Sequence, residues 1–186
     1  MNEFHPRKKK WHTLKDNKVC GTPIFDLIEK TVTPGTNQDA GLFYVLEAPE
    51  WINVLPITSD NEIVLVEQYR HGVEEVTLEI PGGMVDPGEK PIEAANRELL
   101  EETGYISEDW EFLGKASSNP AFMTNYTHLF LAKNCVQDAE PNTDRFEDIA
   151  VHRLPLDKFL NFVKKGVIHH SIVLAAVAKY LVVYRD

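Results

Sequence analysis

Gly83-Met-Val-Asp-Pro-Gly-Glu89, then residues 90–96, then Arg97-Glu98-Leu99-Leu100-Glu101-Glu102-Thr103-Gly104-Tyr105 is the stretch that decides how this chain is read. Pro91 suits an early helical position and Gly104 the position just past a helix end, so residues 91–103 are expected to be helical. Successive helical residues turn by about 100°, which places Glu98, Glu101 and Glu102 on one face at i, i+3 and i+4. Ile92, Ala95 and Leu99 fall on the neighbouring face, which can lie against a sheet. Crowding like charges costs about 0.2–0.5 kcal/mol per exposed pair, and Arg97, four residues before Glu101, offsets only part of it. Clustered carboxylate oxygens are what a hard divalent cation wants, Mg²⁺ above all, with substrate phosphates completing its shell. The glycines ahead of the helix add exposed backbone carbonyls and room for close approach. A solvated acidic helix face is the competing reading of the carboxylate spacing alone.

Outward from this helix the texture is β on both sides. Residues 19–32 alternate weakly and suggest a strand or hairpin. Residues 41–46, 52–57, 62–69 and 76–80 are short β-type runs, the last stopped by Pro81-Gly82-Gly83. Strand texture returns at 110–116, 127–132 and 149–154, and two helices, 156–164 and 171–184, close the sequence. Strands in hairpin order mixed with helices indicate α/β or α+β layers rather than a doubly wound parallel sheet. Two segments are expected: 1–40 as a tail with a small β section, and 41–186 as the main domain.

The 186 residues carry 19 Lys+Arg against 29 Asp+Glu, a net charge of −10 that argues against a general nucleic-acid surface. Arg7-Lys-Lys-Lys10 reads as a solvated terminus. Cys20 and Cys135 are too few for a disulfide framework and read as packing residues, so a reducing, cytoplasmic setting is expected. No apolar run is long enough to span a membrane. His169-His170 reads as a helix-start feature, and Phe122 and Tyr126 as packing residues, with a base pocket as the alternative.

The complete pattern, Gly83, Glu89, Arg97-Glu98-Leu99, Glu101-Glu102 and Gly104, agrees with the Nudix box at eight specified positions. Tyr105 departs from the usual final aliphatic residue and is apolar enough to pack. The chain therefore resembles the Nudix hydrolases, which cleave a nucleoside diphosphate linked to another moiety. That resemblance implies an α/β/α sandwich with a mixed sheet, preceded here by the small N-terminal β section. It implies that Glu98, Glu101 and Glu102, with the Gly82 carbonyl, ligate Mg²⁺ or Mn²⁺. Gly83, Glu89 and Arg97 would shape the loop and orient the carboxylates.

Val66-Glu-Gln-Tyr-Arg70, Leu78-Glu-Ile-Pro-Gly-Gly83, Pro120 and Phe146-Glu-Asp-Ile149 are similar to runs in the ADP-ribose pyrophosphatase and nucleotide-sugar hydrolase branch. By that likeness Glu147 is the candidate base, with Glu101 and Glu102 as further catalytic carboxylates. Arg70 could hold the diphosphate through its guanidinium fork or form an ion pair with a nearby acid, and Glu79 could touch a sugar or adenine edge or face solvent at the strand end. A homodimer through the N-terminal section is implied, as is a nucleotide-sugar substrate. The alternatives are a Nudix-fold sensor that binds without cleaving and a hydrolase of dinucleoside polyphosphates. Isoprenoid isomerase chemistry would need an active-site cysteine, and neither Cys20 nor Cys135 has the context for one.

Overall fold

The computed structural model describes residues 11–34, 39–143 and 148–184. The chain forms two compact units, one of Met1–Ala48 with Asn119–Thr124 and one of Pro49–Ser118 with Asn125–Asp186.

The first unit is a three-stranded antiparallel sheet of β1 (His12–Gly21), β2 (Asp26–Thr33) and β3 (Gly41–Glu47), with β2 central. Thr22 closes the β1–β2 turn: its amide and hydroxyl both donate to the Phe25 carbonyl, at 2.9 and 2.7 Å. β1 begins at His12, well before the strand expected from residue 19, because cross-strand hydrogen bonding and not burial makes it a strand. All of its residues are exposed. Trp11, Leu14, Val19, Leu42, Phe43 and Tyr44 are likewise exposed.

The second unit contains β4 (Trp51–Thr58), β5 (Glu62–Arg70), β6 (Glu75–Glu79), α1 (Pro91–Thr103), β7 (Tyr105–Ile106), β8 (Asp109–Ala116), β9 (Thr127–Gln137), β10 (Ala150–Pro155), α2 (Leu156–Lys164) and α3 (Ser171–Tyr184). Its sheet runs β10-β5-β4-β9-β7, with β6 added beside β5 and β8 beside β9. Among the described residues the β4–β9 pairing is the one parallel pair of strands in this sheet, so the sheet is mixed.

Alternation along the central strands sends side chains to two cores. Ile52, Val54, Val64, Phe130 and Ala132 pack with Ala94, Ala95 and Leu99 of α1. Leu55, Ile63, Leu65, Leu129 and Leu131 face the other way, against Phe159 of α2 and Val173, Ala176 and Val177 of α3. This is the expected α/β/α sandwich. Tyr105 takes its aliphatic role as foreseen, 7% exposed and packed in the α1 core. Cys135 is buried there too, and burial pushes its thiol up to about 12, the behaviour of a packing residue.

α1 starts with Pro91 at its first turn, while Glu93 reaches back to accept from the Lys90 amide at 3.0 Å. It stops at Gly104, whose φ of 74° is left-handed and whose amide donates to the Leu100 carbonyl at 2.8 Å. A Cβ at Gly104 would also stand 2.0 Å from the Ala139 carbonyl oxygen. Gly104→Ala is therefore expected to destabilise the protein by at least about 2 kcal/mol, read as a lowered midpoint in urea unfolding.

Candidate active site

α1 lies beside the loop that follows β6, and the two define a cleft of about 480 Å³. Its walls include Gly82, Gly83, Met84 and Asp86 from the loop and Arg97, Glu98, Glu101 and Glu102 from the helix. Trp51, Gln68, Arg70, Asn142 and Thr143 complete them.

The loop is held as an extended segment against β4. The Val54 amide donates to the Pro81 carbonyl and the Ile52 amide to the Gly83 carbonyl, both at 2.9 Å. Because neighbouring carbonyls of an extended chain point to opposite sides, the Gly82 carbonyl turns away from β4. Asn53, only 6% exposed, braces the loop by donating to the Ile80 and Pro81 carbonyls. Across the loop, the Gly82 amide donates to Glu102 Oε2 at 2.9 Å. Neither glycine is replaceable without displacement. A Cβ on Gly82 would lie 2.4 Å from the Ile52 carbonyl oxygen, and one on Gly83 2.1 Å from Glu98 Oε1.

Arg97 gathers the carboxylates. Its Nε and Nη2 donate to the two oxygens of Glu89, both at 3.0 Å, and Nη2 also donates to the Met84 carbonyl at 3.0 Å. Nη1 donates to Glu98 at 2.8 Å and to Glu101 at 3.1 Å. Glu89 in turn accepts from the Asp86 amide. The hydrogen bonds from Arg97 hold the Glu89 carboxyl below its ordinary range, and those same carboxylates raise the arginine.

The donors available here are carboxylate oxygens and one backbone carbonyl, a set suited to a hard divalent cation. Glu98, Glu101, Glu102 and Gly82 line one cleft and could hold it. Among the described residues no three carboxylate, imidazole or thiol groups already surround a common point, since Arg97 draws Glu98 and Glu101 toward itself. Holding an ion would require those carboxylates to turn from the guanidinium into the cleft.

Arg70, the last residue of β5, also lines the cleft, and its fork forms an ion pair with an acid, one of its two expected roles. Nε and Nη2 donate to Glu79 Oε1 and Oε2 at 2.8 and 2.7 Å. Glu79 is 1% exposed and is not among the cleft-lining residues. Burial pushes its carboxyl upward, but the hydrogen bonds from Arg70 and Thr77 outweigh that and hold it below the usual range. Glu147, the candidate base, lies outside the described residues. Phe122 and Tyr126 are exposed and line no part of the cleft, Tyr126 lying under Lys115 Nζ. Sequence reading missed Trp51, Asn53, Gln68, Asn142 and Thr143, which pairing of distant segments brings to the loop and the cleft. The glycines beside β4 were the one available signal that something packs closely there.

The model of the NUDIX domain matches residues 50–176. A methanol dehydrogenase activator of Bacillus methanolicus is 37% identical over 134 residues, 72% of each chain. An ADP-ribose pyrophosphatase of Bacillus subtilis is 28% identical over 161 residues, 86% of each. Among solved structures, an ADP compounds hydrolase superposes with a TM-score of 0.82 at 24% identity, covering 97% of this chain and 99% of the other. At that identity the likeness speaks for the fold.

Because Glu89 has a carboxyl lowered from 4.5 in the folded state, its pair with Arg97 contributes fully above that pH and is lost as pH falls through the lowered value. Glu89→Gln is expected to cost about 1–3 kcal/mol at neutral pH and to flatten the decline of stability below pH 4.5. Urea unfolding of both proteins across that range checks it.

Proposed function

The chain belongs to the Nudix family, and from that premise we propose that it hydrolyses the diphosphate bond of a nucleoside diphosphate sugar. ADP-ribose or a hexose nucleotide would yield a nucleoside monophosphate and a sugar phosphate. The observation that carries this reading is that Glu98, Glu101, Glu102 and Gly82 line the same cleft as Arg70. The Bacillus subtilis relative, named for ADP-ribose pyrophosphatase activity, supports the substrate class.

Nudix hydrolases generally require a divalent metal ion, here assigned as Mg²⁺ or Mn²⁺ on Glu98, Glu101, Glu102 and the Gly82 carbonyl. When bound it supplies charge neutralisation at the diphosphate and lowers the pKa of the attacking water. Arg70 donates hydrogen bonds to the diphosphate, and buried Glu79 acts on the substrate through Arg70. Water attacks one phosphorus, a new P–O bond forms, and the bridging P–O bond breaks with its electron pair on the departing phosphate. The proton released by the water passes to the Glu147 carboxylate, with Glu101 or Glu102 as the alternative acceptor. Gly83, Glu89 and Arg97 keep the loop and carboxylates in place.

A sensor that binds such a nucleotide without cleaving it has one observation in its favour: a relative named as an activator of another enzyme. The intact carboxylate set weighs for hydrolysis. Product analysis with Mg²⁺ over ADP-ribose, UDP-, GDP- and ADP-hexoses and dinucleoside polyphosphates separates all three readings. The exposed Trp11, Leu42, Phe43 and Tyr44 of the first unit support a homodimer through the N-terminal section, expected as a two-chain mass in sedimentation velocity.

Glu102→Gln is expected to lower kcat by about 10²-fold or more at saturating Mg²⁺. Glu147→Gln is expected to lower kcat while leaving the Mg²⁺ concentration dependence in place. Steady-state kinetics on the best substrate of the panel checks both.

A further inference from the structure

Glu79 is a fully buried carboxylate outside the box. Besides the fork of Arg70, its Oε1 accepts from the Thr77 hydroxyl at 2.6 Å, and His170 Nε2 stands 4.0 Å from its Oε2. His170 immediately precedes α3, and its carbonyl accepts from the Leu174 amide at 3.0 Å, which ties the imidazole to the start of that helix. Its Nδ1 is buried without a hydrogen-bond partner. The neighbouring His169 faces the other acid of β6, Glu75, at 3.7 Å. A residue pair read from sequence as a helix start therefore meets the two acidic side chains of β6.

A carboxylate taken out of water must be matched by hydrogen bonds and an opposite charge, and its geometry then becomes stiff. Glu79 meets this condition through Arg70 and Thr77, while the His170 ring stands beside it at 4.0 Å, beyond hydrogen-bond distance. The guanidinium is the only member of the four that lines the cleft. Arg70 sits at the strand end, next to the His71–Glu74 turn, where a long side chain would otherwise sample many rotamers; a guanidinium fixed through Nε and Nη2 on Glu79 binds a ligand in the cleft with less lost freedom. Burial holds His170 below the ordinary imidazole range against the pull of Glu79, so the ring does not replace Arg70 as the balancing cation.

Resting on the nucleotide-sugar reading above, we propose that Thr77 and His170 are positioning residues for substrate affinity. Thr77 holds the Glu79 carboxylate by its hydrogen bond, the His170 ring walls it in without one, and the carboxylate so placed presents Arg70 to the diphosphate. The beginning of α3 thus sets how tightly a cleft on the other side of the sheet binds its substrate.

The test is a double-mutant cycle on the full chain with the best substrate of the panel. His170→Ala and Thr77→Val are each expected to raise KM about three- to tenfold with kcat within about twofold of the parent, and Arg70→Ala to raise KM by about 30-fold. If the relay runs through Arg70, adding His170→Ala or Thr77→Val to Arg70→Ala changes KM no further. KM effects that multiply in the double variants, or a loss confined to kcat, overturn the proposal. A readout without turnover keeps this separate from the substrate reading. The Arg70 Nε–H resonance is expected as a slowly exchanging NMR signal in the parent, broadened in both His170→Ala and Thr77→Val. An unchanged signal in both overturns the relay. If the parent cleaves none of the panel while the signal responds, the substrate reading fails and the relay stands.

Discussion

Five hydrogen bonds from the single guanidinium of Arg97 hold the candidate site together. Glu89, Glu98 and Glu101 would repel one another, and no lysine lies close enough in sequence on that face of α1 to answer them. Arg97 answers three at once and adds the Met84 carbonyl, so it joins helix, loop and carboxylates into one body. The planar fork is what makes this possible, since an ammonium group would offer a point charge without matching two carboxylate oxygens side by side. The acidity of the box is thus carried partly by an internal cation, and the rest is what a divalent ion would neutralise.

The same economy of space appears at the loop. Gly82 and Gly83 lie between the backbone of β4 and the carboxylates of α1, with room for a hydrogen atom and no more. Backbone hydrogen bonds from Ile52 and Val54 set the alternation that turns the Gly82 carbonyl outward, and Glu102 takes the amide on the facing side. One hydrogen bond from the Gly82 amide thus ties the loop to the Glu102 carboxylate of α1.

Legibility from sequence follows the range of the interactions. α1 is readable from Pro91 to Thr103 because both its boundary signals are local: a starting proline at a position that needs no amide and a glycine past the end that tolerates positive φ. The carboxylate face was readable because helical spacing alone brings Glu98, Glu101 and Glu102 together. Asn53, Gln68 and Asn142 were not, because only strand pairing and loop return bring them to the site, and nothing near them in sequence says so. The Arg70–Glu79 pair hides for the same reason, since a hairpin joins residues whose individual patterns look like ordinary strand ends. β1 was read short because its polar residues carry no burial period, and β7 went unread because two residues make no pattern.

The parallel β4–β9 pairing sets an order of events. β4 forms its register from Trp51↔Thr127 onward, so its partner arrives only after β5, β6, α1, β7 and β8 have been laid down between them. Closing so long a stretch of chain must come before the pairing rewards it. During synthesis the loop that carries Gly82 and Gly83 therefore waits on a strand that has no neighbour on that side. An emerging chain that already contains every carboxylate of the box still lacks the β9 strand that completes the sheet behind them.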